Sequence, residues 1–161
     1  MVKILVSYFS AGGNTEKMAL EVVQGVRDGG GEVILKKVQE TTLEDLLAAD
    51  GIIMGSPTYY GQPAASIKEL LDRSVKCHGK LSGKVGGAFS SAANIGGGNE
   101  TTILAILQMF LIHGMIIEGD ASGDHYGPVA INDPDKRALN QCRNLGKRIA
   151  HLCKKLESRP S

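Results

Sequence analysis

Tryptophan is absent from this 161-residue chain, and only four tyrosines and three phenylalanines supply aromatic rings. A planar ligand would find few stacking partners, so Tyr8, Phe9, Tyr59, Tyr60 and Tyr126 are the rings to locate. Cysteine is equally scarce. Cys77, Cys142 and Cys153 are odd in number, lack C-x-x-C spacing and read as cytoplasmic thiols with no evident redox or metal pair. Cys77 beside His78 reads either as a surface cysteine or as a reactive thiol. His78, His113, His125 and His151 are too scattered for a zinc signature, and no metal is expected. No apolar run approaches a membrane span, and the N-terminus has the pattern of a strand rather than a signal peptide. The formal net charge of +1 comes from interspersed acids and bases, which provide no field to recruit nucleic acid or an anionic membrane. Pro/Ser linkers and charge blocks are missing too. With 42% hydrophobic content, residues 1–161 are expected to form one globular domain with a sizeable core.

What is present begins with Val2-Lys3-Ile4-Leu5-Val6, the apolar pattern of a strand covered on both faces. Met18, Ala19, Val22, Val23 and Val26 then recur at helical spacing, so an amphipathic helix is expected from about Asn14. Between them lie Ser10-Ala11-Gly12-Gly13-Asn14-Thr15. A glycine turn at a helix N-terminus presents free N–H groups and the positive end of the helix dipole to an anion. Ser10 and Thr15 add hydroxyl donors, while Asn14 either caps the helix or meets the ligand. An unliganded glycine turn is the plainer reading.

The kind of phosphate is narrowed by what the turn omits. Gly13 is followed by Asn14 and Thr15 rather than by the Lys-Ser/Thr pair of a nucleotide-hydrolysing loop. The dinucleotide spacing G-x-G-x-x-G is missing, and the second strand, Glu32 to Lys37, ends in Lys36-Lys37 where that fold needs an acid. The acidic cluster of a phospho-accepting receiver is missing too.

Strands and helices alternate along the rest of the chain. A helix with Leu43, Leu46 and Leu47 inward precedes the third strand, Gly51 to Met54. A helix over Ala64 to Leu71 leads to a strand over Lys84 to Phe89, and one over Glu100 to His113 leads to Met115-Ile116-Ile117. A last helix, Pro134 to Leu156, buries Ala138, Leu145, Ile149 and Leu152. This alternation predicts an α/β fold, a doubly wound five-stranded parallel sheet with helices on both faces, whose ligand lies across the carboxyl ends of the strands.

The unusual loops all leave those ends. Gly55-Ser56-Pro57-Thr58-Tyr59-Tyr60-Gly61-Gln62-Pro63 combines hydroxyls, rings and stiffening prolines. Ser90-Ser91-Ala92-Ala93-Asn94-Ile95-Gly96-Gly97-Gly98-Asn99 puts three glycines before a helix, which suits amides facing a ligand closely. Gly119 to Gly127 forms a third polar loop. A phosphate tail with a large, planar, polar-edged head fits such an edge, and flavin mononucleotide has both. Tyr59 and Tyr60 read equally well as half-buried packing residues. His113, preceding Gly114, reads as a helix C-terminal residue complementing the dipole.

Ser10 to Thr15, Gly55 to Gly61, and Phe89-Ser90-Ser91 through Gly96-Gly97-Gly98-Asn99-Glu100-Thr101-Thr102 with His113-Gly114-Met115 resemble, in order, the flavodoxin-like quinone oxidoreductases of the WrbA type. The resemblance covers most of the chain. It implies FMN as cofactor, NADH or NADPH as co-substrate, two-electron reduction of a quinone, and a homo-oligomer, dimer or tetramer. It implies that Ser10, Ala11, Gly12, Gly13, Asn14 and Thr15 bind the phosphate and that Pro57, Thr58, Tyr59, Tyr60 and Gly61 flank the ring. By the same resemblance Ser91, Ala92, Ala93, Asn94, Ile95, Gly96 and Gly97 wrap its pyrimidine edge, and His113 approaches as the catalytic side chain. Amides of the Asn94 to Gly97 segment would stabilise the charge of reduced flavin.

Three departures accompany the match. The Thr41 to Asp50 segment is shorter than in that family, the Ser74 to Gly79 region lacks the usual tryptophan, and the Tyr126-Gly127-Pro128 segment is abbreviated. They weaken the implied tetramer and quinone stacking, not the phosphate cradle. A flavodoxin-type carrier between protein partners stays open beside the enzyme, although such carriers are usually strongly acidic. So does a flavin-binding accessory module.

Overall fold

A computed structural model describes residues 1–158. The apolar N-terminal run forms β1 (Lys3–Tyr8), which pairs in parallel with β2 (Glu32–Lys37) on one side and β3 (Gly51–Tyr59) on the other. A short antiparallel strand, β4 (Gln62–Pro63), folds back on the end of β3. Next to β3 runs β5 (Val85–Ala92), buried along its whole length. Two short strands pair with β5 end to end: β6 (Ile116–Ile117) with its start, β7 (Val129–Ile131) with its finish. The order β2-β1-β3-β5-β6 is the expected doubly wound sheet, extended by β4 and β7.

Alternating strand residues divide between two cores. Ile4, Val6 and Ile53 face α1 (Asn14–Asp28) and α5 (Lys136–Glu157), meeting Met18, Val22, Val26, Leu145 and Ile149. Leu5, Ile52 and Met54 face the other side, where α2 (Leu43–Ala48), α3 (Ala65–Arg73) and α4 (Asn99–Ile112) contribute Leu46, Ile67, Leu70, Ile103, Ile106 and Phe110. The helices α1 and α5 approach until their backbones nearly touch. A Cβ added at Gly146 would lie 2.1 Å from the Val22 carbonyl oxygen, so only glycine admits that crossing.

Several details differ from the sequence expectation. Leu47 is exposed and Leu43 and Leu152 are only partly buried, because α2 stops at Ala48 after two turns and α5 turns a wider stripe outward. The final helix starts at Lys136, where the Asp135 carboxylate accepts the Ala138 N–H at 2.7 Å. Two strands were hidden: β4 contains a proline, and the apolar run of β7 is only three residues long. Among the described residues no helix is long and apolar enough to cross a membrane.

Candidate functional site

At the carboxyl edge of the sheet, a cleft of about 200 Å³ opens between three walls. The first is the turn between β1 and α1. Gly13 takes the left-handed conformation (φ 94°) that starts the helix, and a Cβ on Gly12 would meet nothing within 4 Å. Ser10 stands where a capping side chain belongs, its Oγ accepting the N–H groups of Gly13 at 3.1 Å and Glu16 at 3.3 Å. With its acceptor capacity engaged inward, the Ser10 O–H is left to donate to a ligand. The N–H groups of Ala11, Gly12, Asn14 and Thr15 have no acceptor among the described residues. Asn14 is the first helical residue rather than the cap.

The second wall is the end of β3. Pro57, Thr58 and Tyr59 line the cleft, and Thr58 Oγ1 is hydrogen-bonded to Ser90 Oγ at 2.9 Å. Ser56 Oγ accepts the Ala64 N–H at 2.8 Å, holding the hairpin that follows. The Tyr60-Gly61 tip has φ 52° and 76°, the two positive values of a two-residue hairpin turn matched to strand twist. Tyr59 is half-exposed with its ring edge-on to Phe9, centroids 6.3 Å apart. Tyr60 projects wholly into solvent.

Ser91, Ala92 and Ala93 at the end of β5 form the third wall. Thr15 Oγ1 and Ser91 Oγ, both buried, share a 2.9 Å hydrogen bond beneath the cleft. Asn132, just past β7, lines the cleft as well. Sequence reasoning missed Asn132; the available signal was an Asn-Asp-Pro stop after a short apolar run. Lys17 on α1 pairs with Asp133, and no side-chain cation lines the cleft among the described residues.

The residues expected at the site therefore separate. Ser10, Ala11, Gly12, Asn14, Thr15, Pro57, Thr58, Tyr59, Ser91, Ala92 and Ala93 line one cleft, with Gly13 shaping its turn. Asn94, Ile95, Gly96 and Gly97 form an exposed loop beside it, and Tyr60 and Gly61 make the hairpin tip. Part of the glycine run serves the fold: a Cβ on Gly98 would lie 2.6 Å from Gly61 Cα, and Thr101 Oγ1 donates to the Gly61 carbonyl at 2.8 Å. Residues 119–127 do not reach the cleft. They are tied down by Arg148 on Asp120, Arg137 on Asp124 and His125 Nδ1 on the Asp120 carbonyl.

His113 is not brought to this cleft. It follows α4, whose fourteen residues span about 21 Å, at the end of the helix away from the glycine loop. There it is buried, with Nε2 2.7 Å from Ser74 Oγ. Burial, then the neighbouring His78, lowers its pKa. Within the chain, then, His113 stands apart from the cleft that the resemblance has it approach. Tyr8 is buried as well: its hydroxyl donates to Glu16 at 2.6 Å, and burial followed by that carboxylate pushes its pKa up to about 12.

The donor set fits FMN. Uncommitted amides at a helix N-terminus with the Ser10 hydroxyl suit a phosphate, and Thr58, Tyr59 and Ala93 border the open side where a planar head has room. Asn94, Ile95 and Gly96 add N–H groups without acceptors among the described residues.

Comparison with known proteins agrees. Residues 27–126 match the family model described as NADPH-dependent FMN reductase. A protein of Aquifex aeolicus named flavodoxin is 41% identical over 159 residues, covering 93% of this chain and 86% of that protein. One of Archaeoglobus fulgidus named NAD(P)H dehydrogenase (quinone) is 33% identical over 190 aligned positions, covering 97% of this chain and 100% of that protein. More aligned positions than this chain has residues means that the relative carries insertions here absent. The crystal structure of a WrbA-like flavodoxin from Agrobacterium tumefaciens superposes with a TM-score of 0.84 at 28% identity, over 96% of this chain and 99% of that one. Fold, cleft and relatives converge, and the chain belongs to the NADPH-dependent FMN reductase family of flavodoxin-like oxidoreductases.

Proposed function

We propose that residues 1–161 act as one FMN-binding domain that catalyses two-electron reduction of quinones or similar small acceptors at the expense of NADH or NADPH. The observation that carries this reading is the row of uncommitted N–H groups at the start of α1, opening into the same cleft as Thr58, Tyr59 and Ala93. When bound, FMN supplies the electron chemistry itself. The chain's part is to bind and orient. Ser10 and the amides of Ala11, Gly12, Asn14 and Thr15 hold the phosphate, and Thr58 and Tyr59 border the ring. The amides of Asn94 to Gly96 favour negative charge on its pyrimidine edge. No side chain of the cleft has to move a proton. Catalysis rests on positioning two planar reactants on one open face.

Buried, unpaired Cys77, Cys142 and Cys153 support a reducing, cytoplasmic setting. A homo-oligomer is supported by α4, which is apolar around much of its circumference: Leu111 and Ile112 are exposed, and Met109 and Ala105 line an outer groove of about 800 Å³. The 41% identity to a protein named flavodoxin favours a second reading, a carrier between protein partners.

Purified protein reconstituted with FMN and mixed with NADH or NADPH is expected to bleach its flavin absorbance and then to reduce benzoquinone with turnover. Bound flavin that neither nucleotide reduces would replace the enzyme with the carrier. Absence of flavin binding would remove both.

A further inference from the structure

Asn132 is one of two non-glycine residues in the left-handed backbone region among the described residues, at φ 55°. The other, Tyr60, is explained by its hairpin turn. Asn132 sits in no such turn. Its N–H donates to the Ala92 carbonyl at 2.8 Å, anchoring the residue to the end of β5, and the residue lines the same cleft as the α1 turn. Left-handed backbone is disfavoured for residues with a Cβ and free for glycine; asparagine bears the strain best, but gains nothing from it locally. No acceptor or donor among the described residues engages its carboxamide. The next residue, Asp133, would set a bare anion beside a phosphate site, but its carboxylate is paired with Lys17. A neutral amide is thus held at the cleft wall, with the adjacent negative charge neutralised.

From this arrangement, and resting on the FMN reading above, we infer that Asn132 is a cofactor-positioning residue whose carboxamide hydrogen-bonds the polyol-phosphate tail of the flavin. Its N–H₂ donates to phosphate or hydroxyl oxygens and its carbonyl accepts from a tail hydroxyl, complementing the donor-only amides of the α1 turn in the same cleft.

The test is flavin binding by the apo-protein, followed through quenching of flavin fluorescence, in wild type, Asn132→Gly and Asn132→Asp. Glycine keeps the left-handed backbone and removes the amide. Its apo-protein should be at least as heat-stable as wild type while FMN binds about tenfold more weakly, the loss of one or two hydrogen bonds. Aspartate keeps the shape and replaces a donor with a negative charge, so its loss should be larger for FMN than for riboflavin. Wild-type FMN affinity in both variants would overturn the assignment. If Asn132→Gly destabilises the apo-protein, the FMN-against-riboflavin comparison in Asn132→Asp decides alone, and equal losses for the two flavins would overturn contact with the phosphate. Wild type that binds no flavin would sink the cofactor reading itself, a result distinguishable from failure at this one residue.

Discussion

Thr15 Oγ1 and Ser91 Oγ, 76 residues apart in sequence, meet at 2.9 Å in the buried floor of the cleft. That single bond couples the turn before α1 to the end of β5. Neither element can drift without the other.

Thr15→Val keeps the shape but leaves the Ser91 hydroxyl buried without its partner, which costs about 1–3 kcal/mol. Chemical denaturation of the apo-protein should show this loss. Adding Ser91→Ala should then cost less than the sum of the two single changes, since the second removes the group the first left unsatisfied. Strict additivity would mean the two hydroxyls are energetically independent. FMN affinity should fall in both single variants.

Gly13→Val probes the turn itself. A Cβ there faces open space, so the penalty comes from the φ of 94°, on the order of 1–2 kcal/mol. The protein should fold with a modestly lowered melting temperature and bind FMN more weakly, because the backbone must turn its amides to relieve the strain. Gly97→Val tests a different cause: its Cβ would approach the Asn94 carbonyl oxygen to 2.9 Å, displacing the exposed loop rather than the turn. Unchanged FMN affinity in Gly13→Val, measured by titration, would refute the assigned cradle.

His113 should make stability depend on pH far from the cleft. Ser74 Oγ donates to the Leu71 carbonyl, so the His113 ring donates through Nε2 and leaves Nδ1 bare, buried and without a partner. Lys68, Asp72 and His78 are the charged or titratable groups around it, and no carboxylate is bonded to the ring. Protonation therefore buries a charge, and the folded pKa lies below the unfolded value of about 6.5. The unfolded chain binds the proton more readily, so this contribution is full above that unfolded value and is lost as pH falls through it toward the folded pKa. Denaturation midpoints should drop between about pH 7.5 and pH 5.5. In His113→Gln, whose amide can still donate to Ser74, the drop should be smaller; an unchanged slope would exclude His113 as its source.

Much of this fold could be read from residue order. Long apolar runs such as Val2 to Val6 and Gly51 to Met54 announce buried parallel strands, and the stripe Met18, Val22, Val26 announces α1. The short strands could not be read, because β4 and β7 exist by pairing with neighbours that only the folded chain brings near. At the site, the α1 turn was legible since its glycines and hydroxyls are contiguous. Asn132 was not, since what places it is the end of β7, and the distance of His113 from the cleft follows from helix length rather than from any local motif. The glycine run from Gly96 to Gly98 was half read: one of its members answers to the hairpin at Gly61.

The edge of the sheet beside β5 is laid in two separate pieces, Ile116–Ile117 and Val129–Ile131, each holding its own register. Residues 118–128 thus span a gap whose ends are independently moored, and their path between is fixed by Asp120 on Arg148, by Asp124 on Arg137 and by Gly127, where a Cβ would lie 2.1 Å from the Ala88 carbonyl oxygen. Changes at the exposed Ala121 and Tyr126 would leave this edge as it is, whereas the loss of Asp120, Asp124 or Gly127 would unmoor the strap that bridges its two pieces.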